Sequence, residues 1–454
     1  MNKQMITALL AMFIMGATNL LGAVSLHAQE KKLSPDEAVE MAIKNNLNLE
    51  SARIGTDVSK RKYTHFWNQF LPSVNGTATL ARDNYPTIPS IPPWFLTTGV
   101  SATLDFSFAL VEGIKSYRLD YEAGLISYEK AKLQIEQGVR KMYNSILLME
   151  ANTELMNESF NNARRQAATA EANYRAGLVP RLTWIQAQVA VENMRPSISE
   201  LENSLKNLKG NFAMLLGLPS NTPISLQQIT FEAVNINTDV TELLTRAASE
   251  KPDVQELRAK ILTLKSQKKA MSLQAYTPFL RLGWNLNPTF NPILDPFNDS
   301  LFTGDNWNKE GNFSITLGVN LNSIFSFTKE GQQRKDMDAN IQIQNIRLAQ
   351  MIQEIELEVI TKLNSLEKIL STLEAQTVAV ELAELAYTLT EEAYRAGLQD
   401  FQAVQSSALA LEQARLQLLM ENFNYMNDLL DLEYSIGVPF GTLNSIQSSS
   451  TGGR

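Results

Sequence analysis

Apolar residues recur along most of this chain at steps close to 3.6, and in four short stretches they alternate every second position. The two periods predict long amphipathic helices joined to a small set of strands. Between Gly331 and Gly397 there is no intervening glycine or proline, and Leu348, Ile352, Ile355, Val359, Leu363, Leu366, Leu370 and Leu373 form one apolar seam. At about 1.5 Å per residue a helix over this span is roughly 100 Å long. A first-half counterpart is expected from about Ile114 to Ala176. Ser34-Pro35-Asp36-Glu37 is a capping box with proline in the first turn, so a helix starts there and is expected to run through Ala38, Ala42 and Leu47 toward Phe70. Glu242 to Ala275 reads as a second such helix.

The alternating stretches are Ser73 to Leu80, Val100 to Phe108, Phe279 to Leu286 and Phe313 to Leu321. Each pair is separated by a long connection. The first holds Pro86, Pro89, Pro92 and Pro93, which forbid helix and sheet interior alike, and the second runs from Asn287 to Gly311.

This order of elements occurs twice. Tyr174-Arg175-Ala176-Gly177-Leu178 returns 220 residues later as Tyr394-Arg395-Ala396-Gly397-Leu398, and each is followed by Gly-apolar-Pro, at Gly217-Leu218-Pro219 and Gly437-Val438-Pro439. The chain is a tandem duplication with expected units at 29–230 and 231–440, a leader at 1–28 and a flexible tail at 441–454. Gly177 and Gly397 stand where a helix ends and a return helix begins. Pro196 is expected to kink or break the first return helix; the second return helix has no proline.

Composition narrows the function. A formal charge of −8 in 454 residues, with no basic stripe interleaved with aromatics, excludes nucleic acid as a partner. The start, Met1-Asn2-Lys3 followed by an apolar run and Ala28-Gln29-Glu30, reads as a secretory signal peptide cut after Ala28; an uncleaved anchor is the alternative. No cysteine is present, and once His27 leaves with the leader, His65 is the sole imidazole. That leaves no thiolate metal site, no metal cluster, no cofactor site and no nucleophilic triad. Carboxylates such as Glu354, Glu356 and Glu358 sit on solvated helix faces, so the chain does not read as an enzyme.

Strands of about ten residues match what a tilted strand needs to cross a membrane. Phe70, Trp94, Phe95, Phe106, Phe108, Trp284, Phe290, Phe302, Trp307, Phe313 and Phe325 crowd their ends and loops, as aromatic girdles do at the two interfaces of a barrel. Four strands cannot close on themselves in hydrocarbon, so other copies must complete the barrel. The competing reading is a periplasmic structural or adaptor-like coiled coil with a compact soluble β portion.

Leu33-Ser34, Ala38, Ala42, Asn45-Asn46, Lys251-Pro252-Asp253-Val254, both Tyr-Arg-Ala-Gly-Leu segments and both Gly-apolar-Pro closures together resemble the TolC-like outer-membrane efflux proteins, over essentially the whole mature chain. The resemblance implies a mainly α fold: long antiparallel coiled-coil helices form a periplasmic tunnel, and four strands per protomer complete a twelve-stranded transmembrane barrel in a homotrimer. It implies a passive exit duct in the outer membrane of a Gram-negative bacterium, in contact with outer-membrane lipid and coupled to a periplasmic adaptor and an inner-membrane pump. By the same resemblance Ala176, Gly177, Leu178, Ala396, Gly397 and Leu398 form the adaptor-contacting tip. Some members narrow the tunnel with aspartates just past the second tip. The matching stretch here has Gln402 and Gln405 beside Asp400, so these three are the candidate constriction and glutamines stand where those members carry aspartates.

Overall fold

The computed structural model describes residues 32–82, 84, 94–229, 233, 239–290, 307–308 and 310–443. The leader, the four-proline connection, the centre of the second connection and the chain beyond 443 lie outside them. α1 spans Pro35–Asn45 and α2 Leu47–Thr64, followed by a 3-10 turn at Phe66–Phe70. β1 (Ser73–Arg82) and β2 (Trp94–Ser107) lead into α3 (Ala109–Arg175), which returns as α4 (Arg181–Leu215). The second unit contains α5 (Val240–Glu250), α6 (Pro252–Tyr276), β3 (Phe279–Leu286), β4 (Thr289–Phe290), β5 (Trp307–Asn308) and β6 (Gly311–Gly318). It closes with a short α7 (Leu321–Ile324), α8 (Lys329–Arg395) and α9 (Phe401–Ile436).

α3 and α8 have 67 residues each, about 100 Å at the helical rise; the glycine- and proline-free run predicted α8, and α3 is the expected counterpart even though it contains Gly113, Gly124 and Gly138. The capping box at Ser34 forms, with Glu37 N–H donating to Ser34 Oγ at 3.2 Å and Ser34 N–H to Glu37 Oε2 at 3.1 Å.

Three expectations need correction. The first helix does not run on to Phe70: Asn46 ends α1 in extended backbone and its Oδ1 caps α2 by accepting from Asn48 N–H (2.9 Å) and Leu49 N–H (3.3 Å). Residues 242–275 are likewise two helices, because Lys251 is pushed out of the helical region by Pro252, which then opens α6 as its first residue. Pro196 breaks nothing, and α4 runs through it without interruption.

Burial concentrates at the middle of the long helices, where the short ones pack. Ala38 and Ala42 of α1 meet Val139, Tyr143 and Ile146 of α3 and Phe212 of α4. The second unit repeats this with Leu243 and Ala247 of α5 against Ile355, Val359 and Leu366 of α8 and Tyr425, Leu429 and Leu432 of α9. Tyr143 Oη shares its one proton between Leu33 O (2.8 Å) and Gln227 O (2.6 Å), tying the start of the first unit to the segment after α4; burial pushes its phenol up to about 12. Lys362 bridges Asp428 (2.6 Å) and Asp431 (2.8 Å), while Lys141 pairs with Asp431 from the other unit. These contacts form a belt around the molecule, and the helices project beyond it in both directions.

The strands form one antiparallel sheet with β1, β2, β3 and β6 side by side and the β4–β5 pair continuing beside β2. β2 meets β3 in a register from Ser107↔Phe279 to Val100↔Leu286, so the two units are joined through their sheets.

Candidate functional site

Two regions of the protomer are built for contact rather than for packing. The first is the sheet. Its registers place Leu80, Leu96, Val100, Leu104, Phe106, Leu280, Leu282, Trp284, Phe313, Ile315 and Leu317 on one face and Asn75, Thr77, Thr97, Ser101, Thr103, Asn285, Ser314 and Thr316 on the other. On the edge strand β6 the apolar face is bare: Ile315 is 65% and Leu317 74% exposed. An apolar face turned outward beside a polar inner one is the reverse of a soluble sheet and is the pattern of a barrel in lipid. The open edges of β1 and β6 lie at opposite ends of the order, each with unpaired backbone groups.

The second region is the tip, where α3 turns into α4 and α8 into α9. Both turns are Schellman caps. Gly177 N–H donates to Tyr174 O (2.9 Å) and Leu178 N–H to Asn173 O (2.8 Å); Gly397 N–H donates to Tyr394 O (3.0 Å) and Leu398 N–H to Ala393 O (2.9 Å). Gly177 (φ +74°) and Gly397 (φ +76°) are left-handed, and an added Cβ at either would meet nothing within 4 Å. Leu178 and Leu398 stand 74% and 80% exposed beside them.

Of the candidate constriction residues, Asp400 is the N-cap of α9, its Oδ1 accepting from Ala403 N–H at 2.8 Å. Gln402 is exposed, whereas Gln405 lines a cavity of about 300 Å³ enclosed by α3, α4, α8 and α9, with Asn162, Asn193 and Arg415. The structure therefore gives the three residues different surroundings within one protomer.

Sequence reasoning missed what supports the tip. Tyr174 stacks on Trp184 (centroids 5.5 Å apart, planes at 10°) and Tyr394 meets Phe401 edge-on at 6.2 Å. Phe401 is buried with Ala170 and Ala187, so the two turns share one small core. Trp184 Nε1 and Tyr394 Oη are buried without a hydrogen-bond partner in the protomer, and burial pushes the Tyr394 phenol up. The aromatic at each Tyr-Arg-Ala-Gly-Leu start was the available signal.

Above the tip, exposed apolar stripes run along two helices: Leu182, Ile185 and Val189 on α4 at steps of three and four, and Val378, Leu382, Leu385 and Leu389 on α8 at steps of four, three and four. Such spacing is the seam of a coiled coil whose other strand is missing. His65 is exposed at the end of α2, its Nδ1 3.0 Å from Thr64 Oγ1. Among the described residues no cluster of histidine, aspartate and glutamate could hold a metal ion, and no helix is long and apolar enough to cross a membrane.

Comparison with known proteins gives these surfaces a context. Residues 38–218 match the outer membrane efflux protein family. No curated protein matches the chain by sequence. The fold is similar to solved outer-membrane channels. CusC aligns with a TM-score of 0.72 at 18% identity, over 89% of this chain and 92% of that one. CmeC of Campylobacter jejuni gives 0.73 at 16%, over 92% and 89%. VceC of Vibrio cholerae gives 0.70 at 16%, over 89% and 96%.

Proposed function

From a chain whose residues 38–218 match the outer membrane efflux protein family and whose fold is similar to solved outer-membrane channels along both of its units, we propose a passive outer-membrane exit duct coupled to a periplasmic adaptor and an inner-membrane pump. The observation that carries this is the inverted sheet fused to helices about 100 Å long. Strands with an apolar outer face and two open edges are stable in hydrocarbon only when closed by further copies; the family resemblance sets their number at three, giving one barrel with β6 of each protomer beside β1 of the next. The stripes on α4 and α8 close the same seam along the helices. Each copy presents both stripes, and a head-to-tail contact of unlike surfaces closes into a ring.

The repeats 29–230 and 231–440 each supply one hairpin and one helix pair. The helix pairs end in the Ala176-Gly177-Leu178 and Ala396-Gly397-Leu398 turns, which receive the adaptor. Glycine without a side chain permits close backbone approach, and the neighbouring leucine is an apolar knob for a partner groove. Past the second turn Asp400, Gln402 and Gln405 narrow the tunnel entrance in the ring of three.

The chain has no Gly-x-x-x-x-Gly-Lys phosphate loop, so the energy for transport comes from the pump. Purified protein in a planar lipid bilayer should therefore give discrete conductance steps without nucleotide. Silence in the bilayer, with folded protein incorporated, would overturn the duct. An unchanged pore after Gly397→Trp would separate the constriction from the tip.

A further inference from the structure

The four main strands carry three charged residues, Arg82, Asp105 and Arg281. Arg82 falls in register with the apolar face, 5.9 Å from the Trp94 ring and at the end of the strands away from the helices. The other two stand together on the polar face. They are direct cross-strand neighbours in the β2–β3 register, and Arg281 grips Asp105 with both arms, Nε to Oδ1 at 2.6 Å and Nη2 to Oδ2 at 3.2 Å. The polar-face residues on either side, Ser107 and Phe279 toward the helices and Thr103, Gly283, Ser101 and Asn285 away from them, are neutral, and the Phe279 ring lies 5.7 Å from the Arg281 guanidinium. Asp105 lies two residues before the end of β2 and Arg281 two after the start of β3, so the pair sits where the sheet passes into the helices.

We propose that Asp105 and Arg281 form a charge-balanced collar at the junction of barrel and tunnel, a selectivity-determining site that lets small solutes of either sign pass. The collar rests on the three-copy duct, which places three such pairs around one lumen. A twelve-stranded barrel with strands about 4.8 Å apart and tilted about 40° has a backbone radius of about 12 Å. An arginine reaching inward brings its charge within a Debye length, about 10 Å at 0.1 M salt, of the axis. Three unbalanced charges of one sign at this level therefore act on every ion in the lumen; three bidentate pairs cancel. Neither residue is needed to hold the strands, since both are about half exposed, at 54% and 52%, and an exposed pair adds little stability.

The test is the ratio of potassium to chloride permeability in planar bilayers under a KCl gradient centred near 0.1 M. Arg281→Gln leaves three carboxylates and should raise the ratio by about twofold or more; Asp105→Asn leaves three guanidinium groups and should lower it by a similar factor. The double variant, and the exchanged pair Asp105→Arg with Arg281→Asp, should both return to the parent ratio. All differences should fade near 1 M, where the Debye length is about 3 Å. Single variants that keep the parent ratio, or that both move it the same way, would overturn the collar while leaving the duct intact. A parent protein without conductance would remove the duct and the collar with it.

Discussion

The turns at the tip and the turns at the belt use the same backbone device and differ only in what stands behind it. Gly217 (φ +74°) and Gly437 (φ +71°) close α4 and α9 with the same pair of bonds that Gly177 and Gly397 make. At the belt, however, a Cβ on Gly217 would lie 2.5 Å from Asn45 O, and one on Gly437 2.8 Å from Glu250 C and O. At the tip the same atom would meet open space. Asn45 ends α1 and Glu250 ends α5, so each belt glycine lets a long helix dock against the end of a short one. One backbone turn, set in two different sequences, thus makes a fastening in the middle of the molecule and a vacant surface at its end. Turn geometry alone does not tell the two apart; the neighbouring backbone does.

The contrast breaks most easily through alanine. Gly217→Ala or Gly437→Ala adds a backbone clash to the left-handed strain of about 1 kcal/mol, and should cost about 3 kcal/mol or more. Gly177→Ala and Gly397→Ala should cost only about 1 kcal/mol, the strain alone. Thermal unfolding of the four variants in detergent checks this, and equal losses would remove the distinction. Tyr143→Phe, which frees two belt carbonyls, should lower stability by about 1–2 kcal/mol in the same measurement.

A smaller effect is expected from acid. Burial raises the Asp431 carboxyl, but Lys141 and Lys362 outweigh it and hold the group below its usual range. A depressed carboxyl contributes stability that is fully present above its unfolded value, about 3.9, and is lost as pH falls through the folded one. Parent protein should therefore lose more stability below pH ~4 than Asp431→Asn, whose weaker belt has less to lose. Parallel acid melting curves for the two proteins would contradict this.

The smallest effect on stability belongs to the tip. Leu398→Glu should shift unfolding by less than about 0.5 kcal/mol, because the side chain touches little, and yet abolish export in cells. Normal export by this variant would move the adaptor contact away from the second turn.

Much of the scaffold was legible in the chain because its signals are local. A span of 65 residues without glycine or proline, between Gly331 and Gly397, has few alternatives to a helix, and the alternation at Phe279 to Leu286 matched the observed strand end to end. The two missed breaks were also local. Asn46 and Lys251-Pro252 carry ordinary stop and start chemistry, but lie inside helix-forming sequence whose periodicity dominated the reading. Of the two outcomes expected at Pro196 the break did not occur, since α4 continues through a residue that removes one hydrogen bond. The bidentate Asp105–Arg281 contact was not legible, because it depends on the register of strands 176 residues apart. The tip and constriction residues were named through resemblance; in a single protomer Leu178 and Leu398 stand exposed and Gln405 lines a cavity, surroundings that no local sequence signal specifies.

The mass of the complex extracted from outer membranes, corrected for bound detergent, tests the shared duct most directly. Three chains per particle is the predicted result: the two open edges of one protomer's sheet call for further copies, and the family resemblance sets their number. A particle of one chain, stable and uniform in the same detergent, would contradict it.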